Sequence, residues 1–537
     1  MNSAFTQRVT GRTPGTGSCG SGCDGAQPPI CRFRVHSAPG HRQSGRGSHQ
    51  ISGGTEGVGT PDRIPSRAEN FSDWYIECIR KADMADYTVV KGCMVIKPYG
   101  YGLWENLRDA LDRRIKETGH ENAYFPLLVP ESLLKKEAEH VEGFAPECAW
   151  VTHGGHDELE ERYAIRPTSE AIIGSIYSQW VKSYRDLPLL INQWANVMRW
   201  EKRTRLFLRT SEFLWQEGHT VHRTEEEAQE ETLKMLEVYR EFLETELAIP
   251  AVPGQKSDAE KFAGASKTYT VEALMQDGWA LQAGTSHNLG QHFAKGFDIK
   301  FLDEDNTMKV AWTTSWGVST RLIGGVIMTH GDDNGLKLPP RVAPVQVVIV
   351  TIPKAGLEGA LKEKAAAFAK ALRAKGVRVR EDNRDNLRPG FKFTEWELKG
   401  VPVRIELGPK DLENGTVAIA RRDTSEKTFV KWDDIVGTVE NLLVAIQANL
   451  LKTARDFRDA STHEPKSWAE FQEFIETKKG FMRVGWDGTG ETEAAIKNAT
   501  KATLRCIPFD GGKAQPGDVD IFSGKPAVHR ALFARAY

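Results

Sequence analysis

Arg199-Trp200-Glu201, a short polar loop, then Phe207-Leu208-Arg209-Thr210-Ser211-Glu212-Phe213-Leu214-Trp215-Gln216-Glu217-Gly218-His219-Thr220 is the stretch on which the fold turns. With the period of two of an extended chain, Arg199 and Glu201 point the same way. On the returning strand Arg209, Ser211, Phe213, Trp215, Glu217 and His219 share one face. A solvated sheet face with cross-strand ion pairs would carry those charges, but not Phe and Trp among them. A plain core face would not carry Arg, Glu and His. Aromatic walls with a few placed polar groups are the composition of a ligand pocket. The stretch therefore predicts an antiparallel pair of strands that forms a binding floor. A guanidinium grips two oxygens of a phosphate or carboxylate in a fixed fork, so the ligand is expected to be anionic.

Working outward, Trp104, Leu107, Leu111 and Ile115 recur at helical spacing, and Gly119 follows as a stop. Ala123–Val129 reads as a short apolar strand punctuated by Pro126. A second helix is expected from Thr168, as N-cap, through Ile172, Ile173, Ile176 and Trp180. Thr224-Glu225-Glu226-Glu227 is a capping box. It opens a helix with Leu233, Leu236, Tyr239, Leu243 and Leu247 on one stripe. Strand-like stretches around 191–201, 207–220, 279–287 and 309–316 lie between these helices. Hairpin-linked strands with few crossover helices predict an antiparallel sheet packed with helices. After Leu338-Pro339-Pro340 the pattern becomes β-α-β-α-β. Strands are expected at Val345–Val350, Val377–Val379 and Val401–Leu407, with helices through Leu357–Leu372 and near 391–399. A charged stretch, 452–466, leads to a last unit.

The chain has 537 residues, 71 Lys+Arg against 73 Asp+Glu, and seven Cys. The near balance of charge excludes a uniformly basic nucleic-acid coat but not a local basic path. Seven dispersed cysteines make no disulfide scaffold and suit a reducing compartment. Met1–Thr10 holds no apolar run, so no secretory leader is read. No uninterrupted apolar run approaches about 18 residues, so no membrane span is expected. A cytoplasmic protein is expected. Residues 1–65 read as a disordered tail rich in Gly, Ser and Arg, in which Asp24 and Glu56 are the only acids of residues 1–60. Cys19, Cys23, Cys31 and His36 match no common zinc spacing.

Arg199-x-Glu201, the loop, and Arg209-x-x-x-Phe213 resemble the second signature of class II aminoacyl-tRNA synthetases. Further blocks narrow the resemblance to the prolyl-tRNA synthetase family: Arg166-Pro167-Thr168-Ser169-Glu170, Phe213 through His219, Gln282-Ala283-Gly284-Thr285-Ser286-His287, and Ser315-Trp316-Gly317 through Arg321. It extends over about 70–537. The resemblance implies an α+β fold. A class II antiparallel sheet with flanking helices (66–338) would be followed by an α/β anticodon-binding domain (339–452) and a small α+β C-terminal domain (453–537). It implies proline activation by ATP with Mg2+, then transfer to the 3′ end of tRNA(Pro).

Residue by residue, the resemblance implies that Arg199, Arg209 and Arg321 are catalytic. Thr168, Glu170, Arg199, Trp215, Glu217, His219 and His287 would hold proline, with Phe262 a weaker candidate. Arg199, Glu201, Arg209, Thr210, Phe213, Gln282, Thr285, Ser319 and Arg321 would hold ATP, with Mg2+ near Gln282. Thr285 and Ser319 have a plainer reading as hydroxyls that satisfy turn backbone. Glu397, Arg404 and Lys410 match anticodon-reading positions, while Lys399, Arg421 and Arg422 are alternative phosphate contacts. Between Arg209 and Arg321 there is no room for the large editing insertion of some relatives, so the compact form without editing in cis is implied. Asp487, Thr492, Asp520 and Ser523 stand where some relatives have four zinc-binding cysteines. One nearby thiol, Cys506, makes no closed zinc site. A zinc-free unit packed around Phe481, Trp486, Ile507 and Phe533 is therefore expected. The Ile96–Glu131 region resembles the first signature, which implies a homodimer. Two other classes fit less well. A non-catalytic amino-acid sensor should lack one of the three arginines, and a ligase charging a carrier protein should lack the 340–445 unit.

Overall fold

The computed structural model describes residues 64–140 and 147–537. The cysteines and histidine of the expected tail lie outside the described residues. At the tail's expected end, Ile64 is buried in the main core.

The helix Pro98–Glu117 forms with Pro at its first position, where the missing N–H costs nothing. It buries the expected stripe of Trp104, Leu107, Leu111 and Ile115. The helix Glu225–Thr245 starts where Thr224 accepts from the Glu227 N–H and buries Leu236, Tyr239 and Leu243. A helix that sequence reading missed, Phe71–Lys81, is capped by Asn70, which accepts from the Ser72 and Asp73 N–H groups. Its buried face is Trp74, Tyr75, Cys78 and Ile79, a stripe at helical spacing.

Three expectations are corrected here. The strand expected over Ala123–Val129 is confined to Leu128–Pro130, because the Phe125 N–H goes to the Gln193 side chain instead of to a strand partner. The helix expected from Thr168 begins at Glu170, with Ser169 at the cap position, and the Thr168 hydroxyl turns to the Glu170 carboxylate. The floor strands are shorter than expected. They are Leu189–Met198 and Glu212–His222, so Arg199, Glu201 and Arg209 lie in the connection and not on a strand face. That connection folds back on itself through Arg205 and Arg209, whose backbones exchange both hydrogen bonds.

The central sheet has eleven strands. Its middle is antiparallel: Lys267–Leu274, Ala280–Gly290, Trp312–Ser319, Glu212–His222 and Leu189–Met198, in that order. On the far side of Lys267–Leu274 comes Val252–Gln255. The strands of the C-terminal unit continue the same sheet through Thr503–Pro508, His529–Ala534 and Phe481–Trp486. Trp486 and Phe533 pack in one C-terminal core with Ile507 at its edge. Phe481 belongs to a second cluster, with Leu274, Ala280 and Cys506, that joins this unit to the main sheet.

The middle unit is a separate five-stranded sheet. Val379–Asp382, Val347–Thr351 and Val403–Leu407 run parallel, as the β-α-β-α-β pattern predicts. Thr416–Arg421 and Lys427–Lys431 then add two antiparallel strands. The helix Ile435–Ala460 runs straight through residue 452, where a break was expected. A window within Trp432–Ala460 passes a test of length and composition for a membrane span, a test that core helices also pass. Polar Glu440, Asn441, Gln447 and Asn449 break up its apolar residues, which hid it from a search for continuous runs. One face of it packs on the five-stranded sheet through Ile435, Val439, Ile446 and Leu450. From that face Gln447 donates to the carbonyls of Thr245 and Glu246.

Gly218 is fixed by close approach. A Cβ there would lie 2.1 Å from the Trp316 ring. Gly218→Ala must displace a fully buried indole, and overpacking of this kind costs roughly 1–3 kcal/mol. A lowered midpoint in chemical denaturation is expected, and an unchanged midpoint would contradict the packing described.

Candidate active site

The site is built on three neighbouring strands. Register places Glu217 beside Gly317 and Thr285, and His219 beside Ser315 and His287. Directly opposed residues share a face, so these rows present their side chains together. Alternation also explains the other face. Gln216 there accepts from Tyr239 at 2.6 Å and donates to Asn192 at 2.8 Å. A cavity of about 330 Å3 lies over the floor.

Of the residues expected around proline and ATP, Thr168, Glu170, Arg199, Phe213, Trp215, Glu217, His219, Gln282, Thr285, His287, Ser319 and Arg321 line this cavity, as does Phe262. Glu201, Arg209 and Thr210 are not among its lining residues. Arg209 is half exposed and pairs with Glu201 at 3.7 Å. The Thr210 hydroxyl donates to the Glu212 carbonyl at 2.6 Å. Ser319 accepts from the Arg321 N–H at 3.2 Å, so its hydroxyl satisfies turn backbone. Sequence reading assigned no role to Lys256, Glu260, Lys261, Thr268 or Ser315, which also line the cavity. Ser315 and Thr268 could have been found by extending the row of His219 and His287 across the neighbouring strands.

Arg199 sits just past its strand end, with Nε donating to the Pro167 carbonyl at 2.9 Å. Its guanidinium carbon lies 5.6 Å from the Phe213 ring centre and 5.5 Å from that of Trp215. Burial weakens its hold on the proton, while Glu170 and Glu217 restore part of it. Pro167 is itself held by Arg166, fully buried, which donates to the carbonyls of Phe125 and Asn196 at 2.8 and 2.7 Å. Arg321 opens the helix Arg321–His330, and its Nε donates to the Leu208 carbonyl at 3.3 Å. Burial first, then the charges of Arg209 and Arg199, lower it to about 10. Such crowding of cations around one cavity is tolerable where an anion binds.

The acidic end is equally built. Glu217 accepts from Gln193 at 2.8 Å and from Ser169, and it pairs with His219 at 3.0 Å. Burial pulls the His219 imidazole down, but the bond to Glu217 and the charges of Glu217 and Glu170 leave it raised overall. His287 faces no carboxylate. Burial and the charge of His219 hold it down to about 3, and its Nδ1 lies 3.0 Å from the Thr268 hydroxyl.

A second, smaller cavity, of about 60 Å3, lies on the middle unit. Glu397 and Arg404 line it with Trp396, Arg421 and Arg422, while Lys410 sits apart on the helix Pro409–Asn414. The alternative phosphate contacts are engaged within the protein: Lys399 with Glu395, Arg421 with Asp423 and Arg422 with Asp332. In the C-terminal unit Asp487, Thr492, Asp520 and Ser523 converge. Asp487 accepts from Thr492 at 2.6 Å and from Ser523 at 3.2 Å, and its N–H donates to Asp520 at 3.0 Å.

Comparison with known proteins gives three consecutive family matches. Residues 150–330 match the tRNA synthetase class II core domain (G, H, P, S and T), and residues 346–442 match the anticodon binding domain. Residues 468–537 match the prolyl-tRNA synthetase C-terminal domain. The chain is 57% identical over 477 residues to the proline–tRNA ligase of Natranaerobius thermophilus, covering 88% of this chain and 98% of that one. It is 56% identical over 482 residues to that of Chlorobaculum tepidum (89% and 100%), and 58% identical over 476 residues to that of Alkaliphilus oremlandii (89% and 98%).

Buried histidines give the protein an acid-side liability. Burial holds His222 and His330 down to about 4, and His287 to about 3. The unfolded chain takes up protons on these groups near pH 6.5, and the folded chain does not. Each therefore removes ~1.4 kcal/mol of stability per pH unit as pH falls below about 6.5 toward its folded value. His219 has the opposite sign, since its pair with Glu217 is kept at low pH and lost as pH rises through its raised value. The three outweigh the one. The thermal midpoint should fall between pH 6.5 and 5, and His330→Gln should flatten that slope by roughly a third. A midpoint that climbs on acidification would refute the balance.

Proposed function

The chain belongs to the prolyl-tRNA synthetase family, and on that premise we propose how its own residues carry the reaction. It is a proline–tRNA ligase, an aminoacyl-tRNA synthetase that uses ATP. A proline carboxylate oxygen attacks the α-phosphorus of ATP and the bond to diphosphate breaks, giving prolyl-adenylate. A terminal hydroxyl of tRNA(Pro) then attacks the acyl carbon and AMP leaves. In-line displacement at phosphorus needs positioning and charge neutralisation more than a proton acceptor.

The observation that supports the assignment is one cavity lined both by two arginines, Arg199 and Arg321, and by two buried acids, Glu170 and Glu217. Arg199 has Nε committed to Pro167, so the fork of its terminal nitrogens serves the proline carboxylate and the α-phosphate. Glu170, oriented by Thr168, and Glu217 receive the imino group. His219 works through Glu217, while Trp215, Phe262 and the neutral His287 wall the ring. Phe213 and Arg321 take the two faces of adenine. Arg209 binds the γ-phosphate and Glu201 the adenine amino group, which requires their mutual 3.7 Å pair to open. Thr210, Gln282, Thr285 and Ser319 complete the ATP contacts. Gln282 would offer a neutral hard oxygen to Mg2+ carried by the phosphates, and the ion would supply charge neutralisation there. Glu397 and Arg404 read anticodon bases at the smaller cavity, and Lys410 approaches from its own helix.

We further propose a homodimer acting in the cytoplasm. The hairpin Ala85–Tyr87 with Met94–Ile96 and the adjoining first-signature segment expose Tyr87, Val90, Val95, Tyr101, Tyr124 and Leu128. Apolar exposure of that extent in one region marks an interaction surface. Sedimentation should give twice the chain mass; a monomer at micromolar concentration would count against it.

The reaction is tested by amino-acid-dependent exchange of labelled diphosphate into ATP across the twenty amino acids. Proline should give the dominant signal, with alanine and cysteine weaker, since a pocket of this size gains only ~1–3 kcal/mol per methylene. Arg199→Ala should lower exchange by a factor of at least about 100, the effect of removing one transition-state anion donor. Activity retained in that variant would overturn the role given to Arg199.

A further inference from the structure

Residues 256–262 wall one side of the cavity through Lys256, Glu260, Lys261 and Phe262. They form neither helix nor strand. Their backbone is held by Lys256 N–H to the Thr268 carbonyl, the Ser257–Glu260 turn, Phe262 N–H to the Thr268 hydroxyl and Ala265 N–H to the Phe262 carbonyl. Side-chain contacts hold the rest: Phe262 packs on Phe293 within the catalytic unit, and other ties lead out of it.

Three such ties reach the C-terminal unit. The Ser257 hydroxyl donates to Glu493 at 3.0 Å, with both residues buried. Lys256 lies 3.0 Å from Glu272, whose carboxylate also takes Arg505 at 3.0 Å. Glu272 is fully buried, and Lys256 and Arg505 nearly so. Lys497 reaches Glu260 at 3.3 Å, but this pair is exposed and contributes little. The backbone beneath the ties is continuous. Ile507 and Pro508 pair with Gln255 and Gly254, the strand that runs into the wall. At Gly254 the approach is so close that a Cβ would sit 2.5 Å from the Ile507 carbonyl oxygen. At the other end of the wall, the Phe262 ring lies 4.8 Å from that of His287.

We propose that Glu493 and Arg505 are positioning residues for proline binding. Through Ser257, and through Glu272 and Lys256, they hold the 256–262 wall against the amino-acid end of the cavity. The C-terminal unit thereby sets the width of a pocket to which it contributes no lining residue. A loosened wall draws Phe262 away from His287 and costs contacts to the proline ring, while Arg321 and Phe213, on other elements, keep their hold on ATP. The inference rests on the reading of this cavity as the proline and ATP site.

The test uses the full chain and proline-dependent diphosphate exchange, with KM measured separately for proline and for ATP. Ser257→Ala and Glu493→Ala should each raise KM for proline about tenfold, the size of one charge-assisted hydrogen bond. KM for ATP should stay within about twofold, and the double variant should be no worse than either single one, because both remove the same bond. Glu493→Gln keeps an acceptor oxygen and should restore near-parental values. Arg505→Ala should act in the same direction and Arg505→Lys should largely rescue it. An unchanged KM for proline, equal rises in both constants, or additive single variants would each overturn the proposal. Should Glu493→Ala fail to fold, Ser257→Ala, which removes one oxygen, decides alone. Absence of proline-dependent exchange in the parental chain would instead refute the reading of the site.

Discussion

A guanidinium held against aromatic rings at a cavity wall is stable where anions stand close by. Arg199 meets that condition with Glu170 and Glu217 on one side and an open cavity on the other. The acids are not spare charges. Glu217 is bound by Ser169, Gln193 and His219, and Glu170 by Thr168, so neither can swing over to neutralise the arginine outright. The pocket keeps a separated cation and anion pair, the pattern presented by an amino acid in reverse. Maintaining that separation demands rigid supports, and they are the fully buried Arg166 below and the sheet register alongside. Reorganisation that water would require has been done by folding, which is where electrostatic catalysis draws its strength.

What could be read from the sequence follows the range of the forces involved. Phe213, Trp215, Glu217 and His219 were legible because strand alternation is local, and all four line the cavity. Arg199, Glu201 and Arg209 were legible as chemistry but not as geometry. A strand period was extended past its true ends, at Met198 and Glu212, into a connection whose shape depends on backbone pairing between Arg205 and Arg209. The helix Pro98–Glu117 was visible as a stripe, and Phe71–Lys81, whose Trp74, Tyr75, Cys78 and Ile79 are spaced for one face, was equally legible but went unread. Residues that act across large separations left no local signal. Arg505 is far from Glu272 in sequence and next to it in space.

In the C-terminal unit Asp487, Thr492, Asp520 and Ser523 form one cluster held by hydrogen bonds among their side chains and backbone. Four thiolates would repel one another without a metal. An aspartate with a threonine and a serine can instead donate and accept among themselves, and the Asp520 carboxylate caps the Asp487 N–H. Burial pushes the Asp487 carboxyl up, yet the hydroxyl and backbone donors around it hold it below its ordinary value overall. The loop geometry is thus secured by hydrogen bonds whose strength grows in the partly dry interior.

The same reasoning explains why the terminal unit is joined to the catalytic sheet edge to edge instead of tethered beside it. An unpaired strand at Val252–Gln255 would leave a row of backbone groups exposed next to the cavity, open to any extended chain. Pairing with Thr503–Pro508 closes that edge and brings Arg505 to the one acid, Glu272, that stands opposite Gln282 in the floor. Glu272 between Lys256 and Arg505 forms a buried triad whose net charge is positive, and burial of such a group is unfavourable unless an anion lies within reach. Arg321 feels both Arg505 and Glu272. Through Glu272, Arg505 thus fixes the position of Lys256, a lining residue of the cavity, from a chain segment that lines none of it.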